Sequence, residues 1–107
     1  MNRTNQQYKK LRQTFYSVLH QKPCIACGSF NYIEADHIKP WSWKTMSLTR
    51  RSHKGVAAFY AVPLCKTCHE KKTANNEEIW YNDNVLGGVK TAYAVAMSIL
   101  LEALELE

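Results

Sequence analysis

The chain has 107 residues, 46% of them hydrophobic and 21% charged, which suits one folded domain with a single modest core and excludes a disordered chain. No signal peptide is expected, because residues 1–12 are polar and basic, and the nearly apolar run 92–101 is about half the roughly 20 residues a bilayer crossing needs. The net charge of +5 is uneven: residues 1–72 carry 13 of the 14 Lys and Arg against three acids, a balance of +10, whereas residues 73–107 stand at −5. Positive charge thus gathers where the cysteines and histidines lie, as it would in a chain that meets a polyanion, although a solvated basic surface has the same composition.

Taking the chain in order, Tyr8, Leu11, Phe15, Val18 and Leu19 recur at three- and four-residue intervals and predict a helix over 6–20, within an N-terminal helical segment 5–20 that Pro23 closes. Cys24-Ile25-Ala26-Cys27-Gly28 follows, its glycine giving a tight turn backbone freedom. A short strand is expected over 30–38, ended by Pro40, and 41–55 reads as an exposed basic loop. A second strand over 58–64 leads into Cys65-Lys66-Thr67-Cys68-His69, after which 70–75 suits a helix start. Beyond residue 77 an aromatic cluster, Ile79-Trp80-Tyr81, precedes a turn at Asn82-Asp83-Asn84 and Gly87-Gly88. A helix over 89–104 is apolar nearly all the way round, so it is either sandwiched in a core or buried at a subunit interface, and a homodimer through it is a candidate assembly. The final Leu-Glu has the look of a cloning remnant as much as of native sequence.

Two C-x-x-C pairs, Cys24/Cys27 and Cys65/Cys68, are separated by 37 residues. Four thiolates in two tight turns match a structural, tetrahedral zinc site, whereas a redox pair would leave the second C-x-x-C without a purpose. In a chain with no secretory signal, paired cysteines favour a metal over a disulfide, and a cytoplasmic location is the expectation.

Between and after these pairs stand Glu34-Ala35-Asp36-His37-Ile38-Lys39-Pro40 and Pro63-Leu64-Cys65-Lys66-Thr67-Cys68-His69-Glu70-Lys71-Lys72. Together with the first pair they resemble the zinc-bearing, four-cysteine branch of the HNH endonuclease family; the surrounding wording is similar to small phage and prophage nucleases. The match covers residues 24–72. It implies an α+β fold: a small treble-clef-like ββα-metal core over 22–76 with structural zinc, flanked by the N-terminal helix and a C-terminal helical extension 77–107, in one domain 1–107. It also implies DNA as substrate, a catalytic divalent ion (Mg²⁺, Mn²⁺ or similar) beside the zinc, and 5′-phosphate products.

The residues themselves carry a compatible chemistry. Asp36 offers a hard oxygen and His69 an imidazole, a pair able to hold a divalent ion with positions left open. His37 is the expected general base. Adjacent strand residues point to opposite faces, so bringing Asp36 and His37 together requires the strand to end or kink between them. Lys39, Lys44, Arg50, Arg51, Lys54, Lys66, Lys71 and Lys72 are the expected phosphate contacts. Trp41 and Trp43 stack on bases or pack on the zinc core. The family's middle Asn is missing: no Asn occurs between Asn31 and Asn75, and His53 is the nearest substitute, to orient His37 or to contact a phosphate. Two further readings stay open, a non-catalytic zinc module that binds nucleic acid and a protein-interaction domain acting through the C-terminal helix.

Overall fold

Helix α1 runs from Arg3 to His20 in the computed structural model, which describes residues 3–38 and 58–107. Its apolar stripe packs inward as the spacing predicts: Phe15, Val18 and Leu19 are buried. The His20 ring turns back onto the carbonyl of Tyr16 at 2.6 Å, helping to occupy a carbonyl that the helix end leaves open. The chain then reverses through a knuckle in which Gly28 donates to the Cys24 carbonyl at 2.9 Å and takes a φ of +79°, a conformation that favours glycine.

The sheet is two antiparallel strands, β1 (Ile33–His37) and β2 (Ala61–Cys65), with Asp36 opposite Val62 and His37 opposite Ala61. Both strands differ from the expected bounds. β1 starts three residues late because residues through Tyr32, which adopts a φ of +51°, belong to the knuckle. β2 starts at Ala61 because Ala58 and Phe59 form a single helical turn, and it extends to Cys65. Pro63 fits in β2 because its position faces away from β1: its carbonyl accepts the Ile25 N–H of the knuckle at 3.1 Å, so no bond of the β1–β2 ladder needs a proline N–H.

Helix α2 (Lys66–Thr73) begins directly after Cys65, four residues earlier than expected. Cys65 is its N-cap, with the sulfur accepting the Cys68 N–H at 3.5 Å, so the second C-x-x-C is itself the helix start. Helix α3 (Glu77–Asn84) replaces the expected turn at 82–84. Asn76 caps it through a bond from the Ile79 N–H at 3.1 Å, and Glu77 and Glu78 complement the helix dipole in its first turn. The turn survives at Gly87-Gly88, where a Cβ on Gly88 would come within 2.0 Å of Asn82.

Helix α4 (Val89–Leu106) buries one stripe, Ala92, Ala96, Ile99 and Ala103, and leaves Met97, Leu101 and Leu104 exposed. The two faces of the sheet each have a core. On one, Phe15, Val18, Leu19, Phe59, Ala61 and Ile99 join α1 to the far half of α4. On the other, Ile38, Val62, Leu64, Trp80, Tyr81 and Ala92 join α3 to its near half. Lys22 and Glu102, 2.8 Å apart, add a tie between the end of α1 and α4. The architecture is therefore α+β, with a two-stranded sheet and four helices. Among the described residues no single helix is long and apolar enough to cross a membrane.

Candidate functional site

The knuckle and the start of α2 bring all four cysteines together. Their sulfurs lie within 4.8 Å of one another, and those of Cys27 and Cys65 are 3.6 Å apart. Ligands about 2.3 Å from one zinc at tetrahedral angles stand about 3.8 Å from each other, so the cluster fits such an ion. Cys24 and Cys65 are buried, and Cys27 faces solvent. Burial opposes ionisation of Cys24, but N–H groups of Cys65, Cys27 and Ala26 together outweigh it and bring the thiol down to about 7. Burial pushes the Cys68 thiol up, and the neighbouring sulfurs push in the same direction. Four sulfurs so placed are compatible with one structural metal ion.

Beside the clasp, the face of β1 that meets α2 and α3 carries Glu34 and Asp36. The clasp fixes β1 against α2, and His69, 33 residues from Asp36 in sequence, comes within 3.2 Å of it (Nε2 to Oδ1). The other ring nitrogen, Nδ1, is 2.7 Å from Glu34 Oε1. A neutral imidazole has one N–H. If it serves Glu34, the closer partner, the Nε2 lone pair faces a carboxylate oxygen, an arrangement a cation reconciles. Two ligands about 2.1 Å from one ion and 3.2 Å apart subtend about 100° at it, between the octahedral and tetrahedral values. Asp36 and His69 are thus two donors that could hold a divalent ion, with Glu34 behind the histidine, while a ring protonated on both nitrogens satisfies the two carboxylates equally well.

Asp36 is also engaged by the protein. It is 2% exposed, accepts the Tyr81 hydroxyl at Oδ2, and accepts Lys72 Nζ at Oδ1, 3.0 Å away. Lys72 reaches Glu77 as well, at 2.7 Å. Burial works against the Lys72 charge, but Glu77 and Asp36 outweigh it and raise its pKa. Burial, reinforced by the Asp36 charge, pushes the Tyr81 phenol up too. Lys72, expected as a phosphate contact, has a side chain 12% exposed, with its ammonium held between two carboxylates. Lys66 and Lys71 do stand exposed on α2.

His37 takes the opposite side. β1 runs without interruption through Asp36 and His37, so the expected break between them is not found, and alternation directs them to opposite faces. His37 meets α1 instead: its Nε2 lies 2.9 Å from the Tyr16 hydroxyl, which donates to the Ala58 carbonyl at 3.1 Å. The two rings meet edge to face, 6.0 Å between centroids. Lys39, Trp41, Trp43, Lys44, Arg50, Arg51, His53 and Lys54 lie outside the described residues.

Four participants were missed in the sequence. Glu34 was within reach, two residues before Asp36 and therefore on the same strand face. Tyr16, Glu77 and Tyr81 carried no local signal, since their partners are 21, 5 and 45 residues away and in other elements. No family model, curated protein or solved structure matches the chain.

Proposed function

We propose that this chain is a metal-dependent endonuclease that hydrolyses DNA phosphodiester bonds by HNH-type, single-ion chemistry on a treble-clef-like core stapled by zinc. The observation that carries the reading is the line Glu34–His69–Asp36, with 2.7 Å and 3.2 Å contacts, set beside a four-cysteine cluster that ties its two elements together. Bound between Asp36 and His69, a divalent ion would supply Lewis-acid stabilisation of charge on the phosphate and the leaving 3′ oxygen. Glu34 keeps the His69 ring turned so that Nε2 faces Asp36. His37 removes the proton of the attacking water. Lys66 and Lys71 neutralise flanking phosphates from the open side of α2. Asp36 and His37 occupy opposite faces of β1, so this reading requires the scissile phosphate to reach both around the end of that strand.

A second reading, a non-catalytic zinc module that binds nucleic acid, draws on the engagement of Asp36 by Lys72 and Tyr81, which closes the carboxylate into the protein. One assay separates the two. Purified wild type with Mg²⁺ or Mn²⁺ is expected to nick or linearise plasmid DNA, and His37→Ala to lose that cleavage while retaining zinc and its melting temperature. Salt-sensitive DNA binding without cleavage in any divalent metal selects the binding module, and cleavage retained by His37→Ala removes the HNH assignment.

A further inference from the structure

Two aromatic rings of the knuckle stand outside both cores: Phe30 is 68% exposed and Tyr32 81%, with the exposed Asn31 between them. Single exposed apolar residues are ordinary on a protein surface and mark nothing by themselves. This pair has two further features. Tyr32 takes a φ of +51°, a conformation that the β-carbon of an aromatic side chain disfavours and that asparagine enters more readily. Its carbonyl accepts the Lys66 N–H at 3.0 Å, which joins the knuckle to the start of α2. The fold thus uses the backbone at this position and takes little from the ring, yet the ring is there. The surroundings are also basic. Lys66 is exposed, the one acid of α2, Glu70, lies a turn further along, and Glu34 is engaged by His69.

We propose that Phe30 and Tyr32 form a stacking platform for unpaired bases of a DNA strand, with Lys66 on an adjoining phosphate. Every base has a π-face, so two exposed rings beside a cation take successive bases without reading their edges. Bases within a duplex have both faces covered by their neighbours and reach such rings only by unstacking, so the platform favours a single strand. The charge of the chain is complementary to that strand, since residues 1–72 stand at +10. That the strand is DNA rests on the nuclease reading; the stacking does not, and it uses none of Glu34, Asp36, His37 and His69.

The test is fluorescence anisotropy of a short labelled DNA strand with zinc-loaded protein, in the absence of Mg²⁺ and Mn²⁺ so that nothing is cut. The strand is expected to bind more tightly than a duplex of the same sequence and than an abasic strand of equal length and charge. Phe30→Ala and Tyr32→Ala are each expected to weaken strand binding about tenfold and to leave binding of the abasic strand unchanged. Tyr32→Asn is expected to lose the same affinity at an equal or higher melting temperature, because asparagine suits the positive φ. Lys66→Met is expected to make the logarithmic salt dependence shallower by about 0.7. Equal binding of normal and abasic strands, a preference for the duplex or for RNA of the same sequence, or wild-type affinity in Tyr32→Asn overturns the proposal. So does a lowered melting temperature in Tyr32→Asn, which would give the ring to the fold instead. Plasmid cleavage by a wild type that binds normal and abasic strands alike removes the platform and leaves the nuclease reading standing; base-dependent strand binding by a protein that cuts nothing does the reverse.

Discussion

Replacing Lys72 with methionine keeps most of the side-chain stem and removes the ammonium that Asp36 and Glu77 share. Removing one partner of a buried ion pair costs about 3–5 kcal/mol, because the other charge stays behind in a medium that solvates it poorly. Two features place this case at the lower end of that range. Asp36 keeps the Tyr81 hydroxyl as a donor, and Glu77, 24% exposed, can turn to water. A loss of about 3 kcal/mol, set against an unfolding entropy of about 0.22 kcal/mol/K for a chain of this length, lowers the melting temperature by about 13 °C. Calorimetry of the zinc-loaded protein at neutral pH measures it, with Asp36→Asn and the double variant completing a cycle. A drop under about 3 °C, or strictly additive single variants, refutes the view of Lys72 as a buried counter-ion. The same network has an alkaline signature. The pKa values of Lys72 and Tyr81 are both raised by folding, so their contribution is complete below their ordinary values near 10 and is lost as pH climbs through the higher folded ones. The melting temperature of wild type should therefore decline from about pH 10 upward, and that of Lys72→Met should decline less steeply.

Two other outcomes bear on the clasp and on assembly. Purified protein should carry about one equivalent of zinc by elemental analysis, and Cys27→Ser or a strong chelator should abolish the cooperative melt, whereas a metal-free preparation that melts identically with chelator rules the clasp out. The exposed stripe of Met97, Leu101 and Leu104 on α4, with Lys90 near one end and Glu105 near the other, suits antiparallel pairing with a second copy. Sedimentation should then give twice 12.3 kDa, with Leu101→Glu returning the single-chain mass, and a wild type that stays at the single-chain mass removes the dimer.

The parts of this molecule legible in its sequence are those whose determinants are local or are tied to something local. The cysteine pairs announce themselves by spacing, α1 by its stripe, and the meeting of Asp36 with His69 follows once the clasp joins their elements. Strand ends were harder to read, because the β propensity of Phe30 and Tyr32 is spent in a knuckle where Tyr32 adopts a positive φ. Helix α3 was hidden by its aromatic and Asn-rich composition, although Asn76 followed by Glu77-Glu78 is a start signal. In the sequence Lys72 is one more basic residue beside Lys71. Only the arrival of Asp36 from another element turns it into an interior counter-ion. His37 shows the converse: the alternation rule was sound, and the supposed end of the strand was what failed.

Pro63 has an implication of a different order. A sheet of two strands has two open edges, each able to template pairing with a foreign strand. Along the outer edge of β2, proline offers no donor, and its carbonyl is already taken by the Ile25 N–H. The edge nearest the cysteines is thereby sealed from within the chain. A copy of this protein that meets it there finds neither donor nor free acceptor at Pro63, which disfavours sheet-to-sheet aggregation beside the cysteines.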